Sequence, residues 1–392
     1  MSKEFELVVS CSQMSVETKQ TEVKALVQDG DMDWELFVYL AFHHRLFPLI
    51  YRYLSVNKFV EVPTHVLEQL RFAYRRQTSK TFQMIAGFLD LIHVMEYHGI
   101  RVTVMKGFPI AQRLYGDVSL RPSRDLDILI EPEDVFKVQG IAAQHGFQIT
   151  EPSSPMNEPK FLEWMKSNQH IEIWHPEKKI YLEIHWRLGY YEWGKVVKSG
   201  KRTEMDLAGK KIKIINTEEL LIYLMLHGAF HSWFRLHWLK DIDVWIRSDD
   251  FSWNRLYQLA EKMKVNPVLN QTLLLTKKVF DTPLPEAVYA IAVKDLKARK
   301  LAKMAMRFIY DHDYSLKSNN EIVVRFFRQK TYQLYLHSRW MDRLTYLARS
   351  FLPAAEDHVS IALPGKLYFL YYFISPVSGM KRRIINFVSR CT

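Results

Sequence analysis

Residues 100–130, IRVTVMKGFPIAQRLYGDVSLRPSRDLDILI, decide the fold. The β-rich run Ile100-Arg101-Val102-Thr103-Val104-Met105 predicts a strand. Lys106-Gly107-Phe108-Pro109 then predicts a tight turn into a helix reaching about Tyr115, because proline is tolerated in a first helical turn and glycine lets backbone approach a ligand. After Gly116-Asp117, the segment Asp125-Leu126-Asp127-Ile128-Leu129-Ile130 alternates and then becomes wholly apolar before Pro132, as a strand entering a buried sheet does. Two apart on such a strand, Asp125 and Asp127 project from one face while Leu126 and Ile128 take the other. Carboxylates held this close repel each other, and a hard divalent cation bound through oxygen relieves the repulsion.

Upstream, apolar residues recur at helical spacing from about Val23 to Glu96, as in Trp34, Phe37, Val38, Leu40 and Ala41 and again in Phe82, Ile85, Phe88, Leu89, Ile92 and Met95. His98-Gly99 stops the pattern, so residues 1–98 form a helical N-terminal region. Downstream, 133–146 read as a helix and the proline-rich stretch 151–159 as a loop. Gln169–Trp174 and Ile180–Arg187 alternate around a short polar turn, predicting an antiparallel hairpin. Leu207-Ala208-Gly209-Lys210 is a further turn, leading into a strand over 211–215 that closes an α/β core of residues 99–215. Asn216 with Glu219 resembles a capping pair, and 216–392 reads as a C-terminal helical domain. Glu183 on the second hairpin strand offers a third carboxylate, with Leu182 and Ile184 opposite. Glu172 on the partner strand competes with it but lacks the His-Trp that follows Glu183.

At these residues the sequence resembles the polymerase-β-like nucleotidyltransferase superfamily, and within it the bacterial branch described as nucleotidyltransferase family proteins. The likeness rests on Met105-Lys106-Gly107, Tyr115, Arg121, Asp125-Leu126-Asp127-Ile128-Leu129-Ile130, Glu183-Ile184-His185-Trp186, the run from Leu226-His227-Gly228 to Arg235-Leu236-His237-Trp238-Leu239-Lys240-Asp241, and the tail Leu363-Pro364 to Leu370-Tyr371-Tyr372. It implies an α+β fold, a mixed sheet flanked by helices, with helical regions on either side. It also implies transfer of a nucleoside monophosphate from an NTP such as ATP to a hydroxyl or phosphate acceptor, a small molecule or peptide, with release of pyrophosphate. Asp125, Asp127 and Glu183 would then be catalytic and hold Mg²⁺, with Mn²⁺ as an alternative. Lys106 and Gly107 would receive the phosphates, and Arg121, Ser123, Arg124, Arg235 and Lys240 would complete the nucleotide site. The sequence departs from better-known transferases in having Lys-Gly in the turn, a longer connection to the aspartates, and Glu where the third acid is usually Asp.

Other residues have blander readings beside the functional one. His227 and His231 are four apart on a predicted helix, but Gly228, Ala229 and Phe230 lie between them where a zinc-protease motif needs Glu, so structural or substrate-lining roles are favoured. Arg121 and Arg124 also suit a solvated loop, and Arg235 and Lys240 a surface.

With 48% hydrophobic residues the chain is globular rather than disordered, and with only two cysteines, Cys11 and Cys391 at opposite ends of the chain, neither a disulfide framework nor a Cys-based zinc site is expected. The longest apolar run, 367–374, is too short to span a bilayer. No secretory or transit leader is read at the start, so the cytoplasm is the expected location. The net charge of +11 is localised: 293–392 holds 18 Lys and Arg against 7 Asp and Glu, and the rest balances. That basic region, with its aromatics and Lys381-Arg382-Arg383, suits an anionic partner. It frames a second functional class, a non-catalytic protein binding nucleotide, RNA or a phosphorylated peptide on the same fold, associated with peptide tailoring. Nucleic acid is the less favoured partner.

Overall fold

The structure, a computed structural model, describes residues 2–13, 16–152, 156–187, 202–248, 250–310, 319–338, 340–349 and 370. The tail motif 363–372, bar Leu370, and Lys381-Arg382-Arg383 lie outside them. The chain divides into two compact units, one of Met1–His227, Arg235–Met263 and Thr276–Leu284, the other of Gly228–Phe234, Lys264–Leu275 and Pro285–Thr392.

Five helices open the first unit: α1 (Lys3–Cys11), α2 (Val16–Val27), α3 (Trp34–His43), α4 (Phe47–Asn57) and α5 (Thr64–Tyr97). The core that follows comprises β1 (Thr103–Lys106), α6 (Phe108–Tyr115), β2 (Leu126–Leu129), α7 (Val135–Gln144), β3 (Gln148–Glu151), α8 (Glu158–Ser167), β4 (His170–His175), β5 (Ile180–His185), β6 (Arg202–Leu207) and β7 (Lys210–Ile215). Among the described residues, the seven strands join one mixed sheet in the order β3-β4-β5-β2-β1-β7-β6. The expected hairpin is β4 and β5, paired antiparallel, while β2 runs parallel to β5 and β1 parallel to β7.

Period-2 alternation gives this sheet two unlike faces. Leu126, Ile128, Ile171, Ile173, Ile180, Leu182 and Ile184 turn to one side and pack with Ile85, Phe88, Leu89, Ile92 and Met95 of α5 and Val135, Val138 and Ile141 of α7. Phe88 meets Phe108 edge to face at 5.0 Å. Phe82, read as part of this stripe, is instead exposed. Gly87 permits the close approach of helix and sheet, since a Cβ there would lie 2.1 Å from Ile180 Cδ1. The other face of the sheet carries the polar members of the same strands.

Three elements differ from the sequence reading. Strands β3 and β6 are polar and exposed enough that no apolar alternation marks them. Helix α8 begins inside the stretch read as loop, because Pro159 sits in its first turn and Asn157 caps it, accepting from Lys160 N at 3.2 Å. Asn216 Nδ2 donates to Glu218 Oε2 at 3.4 Å, in place of the expected pairing with Glu219. Beyond it run helices Thr217–Phe230, Leu236–Ser248, Trp253–Lys262 and Asn266–Phe280.

In the second unit, helices Glu286–Lys294, Leu296–Tyr310, Asn319–Leu336 and Trp340–Arg349 follow, with Tyr332 buried among them and hydrogen-bonded to Gln271 at 2.8 Å. Among the described residues no helix is long and apolar enough to cross a membrane.

Candidate active site

Strand register lines up the acidic residues. Asp127 on β2 stands opposite Glu183 on β5, and Glu183 opposite Glu172 on β4, so all three side chains leave the same face. Lys106 joins the row through an irregularity in β1. Val104 pairs with Ile128, and in unbroken antiparallel register Lys106 would oppose Leu126; a bulge between Val104 and Lys106 places it opposite Asp127. One extra backbone residue thus carries an ammonium to the polar face. The sequence placed Lys106 in the phosphate turn; it is the last residue of the strand.

Oxygens of Asp125, Asp127 and Glu183 lie within 4.8 Å of one another. Lys106 Nζ is 2.9 Å from Asp127 Oδ2, an ion pair not aligned as a hydrogen bond, and 3.3 Å from Asp125 Oδ2. His185 Nε2 is 3.1 Å from Asp127 Oδ1 and 3.2 Å from Glu183 Oε2. Three carboxylates therefore face two cationic side chains. Burial pushes the Asp127 carboxyl up to about 6, against the pull of Lys106, with Glu183 and Asp125 adding to the rise. Burial acts on Glu183 in the same direction, but the hydrogen bond from His185 and the Lys106 charge win and hold it well below the carboxylate range. Burial disfavours the charged forms of Lys106 and His185, and the acids reverse that: Lys106 is raised well above its ordinary value and His185 to about 9.

Gly107 follows with φ +94°, a conformation that L residues rarely adopt, and a Cβ there would sit 3.3 Å from Leu126 Cδ2. It begins α6 without a side-chain cap, so the first N–H groups of that helix have no side-chain acceptor at the cap. Ser123 Oγ donates to Asp125 O at 2.7 Å, fixing the approach to β2.

The remaining predicted residues are not all brought to the carboxylates. Arg121 is buried, with Nε 2.8 Å from Asp241 Oδ2, and Asp241 Oδ1 accepts from Tyr115 OH at 2.8 Å. This fastens the helix Leu236–Ser248 to the loop before β2. Removing Arg121 or Asp241 would strand the other's buried charge, at a cost of about 3–5 kcal/mol. Lys240 is also buried, with Nζ 2.7 Å from Asp243 and 3.1 Å from Gln13, so its ammonium is committed there. Arg124 and Arg235 instead lie near enough to the partly buried Arg45, between α3 and α4, for their charges to act on it. Burial first, then Arg235 and Arg124, holds the Arg45 guanidinium well below its ordinary pKa, with Asp125 opposing. His44 anchors this corner: its Nδ1 accepts from Leu236 N at 3.3 Å and its carbonyl from His237 N at 3.2 Å.

Glu172, the rival third acid, accepts from Tyr181 OH and lies 3.5 Å from His170 Nε2, one strand beyond the cluster. His227 stacks edge-on against Trp238, and His231 falls past the end of its helix beside Phe230 and Phe234. Sequence reasoning missed Arg45, His170, His185 as a partner of the acids, and Tyr223. The Tyr223 phenol is raised by burial and then by Asp127. The helical stripe hides Tyr223, but the alternation that selected Glu183 also places His185 on the same face.

The family model for an uncharacterised nucleotidyltransferase matches residues 30–281. The chain belongs to that nucleotidyltransferase family. The match covers α3 onward through the whole sheet and the helix carrying Asp241. A comparison with curated proteins gives no match. Among solved structures, this nucleotidyltransferase is similar to the solution structure of the antibiotic-resistance factor ANT(2'')-Ia, at 10% identity over 54% of this chain and 95% of that one, with a TM-score of 0.30. It is also similar to an antigenic nucleotidyltransferase-like protein from Paracoccidioides brasiliensis, at 16% identity over 51% of this chain and 98% of that one, with a TM-score of 0.31. At these scores neither likeness adds to what the family match shows.

Proposed function

We propose that this nucleotidyltransferase moves a nucleoside monophosphate from an NTP to a hydroxyl or phosphate acceptor. The acceptor oxygen bonds to the α-phosphorus, the bond to the departing pyrophosphate breaks, and the acceptor's proton is released. The observation that carries the reading is the convergence of Asp125, Asp127 and Glu183 within 4.8 Å. The donor set, three carboxylates and no sulfur, suits a hard ion, Mg²⁺ or Mn²⁺. When bound, such an ion neutralises phosphate charge and favours an ionised acceptor oxygen.

The chain's own residues supply the rest. Lys106 balances the Asp pair from the bulge of β1. Gly107 lets the uncapped start of α6 approach phosphate oxygens, with Ser123 holding the neighbouring loop. The charges of Arg235, Arg124 and Asp125 all reach Arg45, and the polyphosphate tail would lie at this basic corner. Arg121 and Lys240 are left out of the binding set, since buried aspartates already engage them.

Incubation with each NTP, Mg²⁺ and a panel of hydroxyl and phosphate acceptors is expected to release pyrophosphate, and Asp127→Asn to reduce that release to background. Equal release by the variant would reject the assignment. Saturable NTP binding that needs neither Mg²⁺ nor Asp125, without turnover, would favour a non-catalytic binding protein instead.

A further inference from the structure

Beside the three acids lies a second set of donors of different chemistry. One nitrogen from each of His170 and His185 and an oxygen of Glu183 lie within 4.8 Å of one another. Register produces the set: His170 on β4 stands opposite His185 on β5, two residues along from Glu183, and the imidazoles approach to 4.9 Å between centroids. Each ring has its Nε2 near carboxylates, His185 with Asp127 and Glu183 and His170 with Glu172. The Nδ1 atom of each is buried with no hydrogen-bond partner, and the His185 side chain is only 6% exposed. A buried imidazole nitrogen without a partner forfeits solvation and gains nothing in return. Asp127 at His185 Nε2 and Glu172 at His170 Nε2 orient the two imidazoles as metal-ligating histidines commonly are, while Glu183 would turn from His185 Nε2 to the ion.

We propose that His170, His185 and Glu183 form a second cation site, selective for a borderline transition ion such as Zn²⁺ or Co²⁺, which shares Glu183 with the oxygen site. Imidazole nitrogen favours these ions over Mg²⁺, which prefers oxygen and retains water. Bonds of about 2.1 Å in a tetrahedral site hold donors roughly 3.4 Å apart, so modest side-chain rotations close the set. The two sites then differ in hardness. The nitrogen site needs no nucleotide, and it rests on the proposed reaction only in sharing Glu183.

The test is a Co²⁺ titration of the full chain, stripped of metal, followed by visible absorption, with Zn²⁺ competition. The wild type is expected to develop ligand-field bands of a nitrogen-coordinated ion. Asp125→Asn should retain them, and His170→Ala should lose them or weaken binding at least tenfold. Because His170 is partly exposed, the substitution is expected to leave the fold intact, which circular dichroism checks; His170→Gln serves as the second variant. Bands identical in wild type, His170→Ala and His170→Gln would overturn the proposal. A failure of nucleotidyl transfer is separable, since it would abolish pyrophosphate release while leaving the Co²⁺ bands in place.

Discussion

His185 shows how a single side chain ties charge to stability. In the metal-free protein its pKa rises from 6.5 to about 9, because the Asp127 and Glu183 carboxylates outweigh the penalty of burial. The folded state therefore holds a proton that the unfolded chain releases. The stabilisation is complete below pH 6.5 and is lost as pH rises through about 9. Calorimetric melting in EDTA should show the wild type above His185→Gln at pH 6.5, with the gap narrowing steadily toward pH 9. A gap independent of pH would mean that the imidazole is neutral in the fold. At this scale the sequence was informative about Asp125, Asp127 and Glu183, because strand alternation announces which face a carboxylate takes. It did not show the bulge that turns Lys106 to the carboxylates, or the buried partners Asp241 and Asp243 of Arg121 and Lys240, since no local pattern reveals either.

At the scale of elements, the β1–α6 turn is the most constrained link. Gly107 combines a φ of +94° with a close approach to Leu126, so Gly107→Ala carries both backbone strain and steric crowding. A loss of about 1–3 kcal/mol is expected from the backbone alone, measurable as a lowered urea midpoint with an unchanged slope. Gly99→Ala has open space around its Cβ and separates strain from crowding. The elements legible beforehand, α5, α6, β2, α7, β4, β5 and β7, carry strong apolar periodicity or clear stops. The ones missed, β3, β6 and α8, are an exposed strand, a polar strand and a helix whose opening proline resembles a loop signal.

For the whole molecule, the two units of the chain differ in character. The family match falls mainly on the first, while the surplus of 11 positive charges lies in 293–392, within the second. Strand order was not legible, because the pairing of β1 with β7 and of β2 with β5 joins segments far apart in sequence. Cys11 offers a probe of the first unit. Burial raises its thiol far above the ordinary value and leaves it fully covered. In a Cys391→Ser background, a thiol reagent should label Cys11 only at the rate of unfolding, and prompt labelling of native protein would contradict the packing of α1.

The row of Lys106, Asp127 and Glu183 is spelled across three strands that no single hairpin contains. A nascent chain would display its paired aspartates well before ribosomal synthesis reached the glutamate that completes their cluster. On the proposed metal role, cation capture would await the pairing of β2 with β5 rather than precede it.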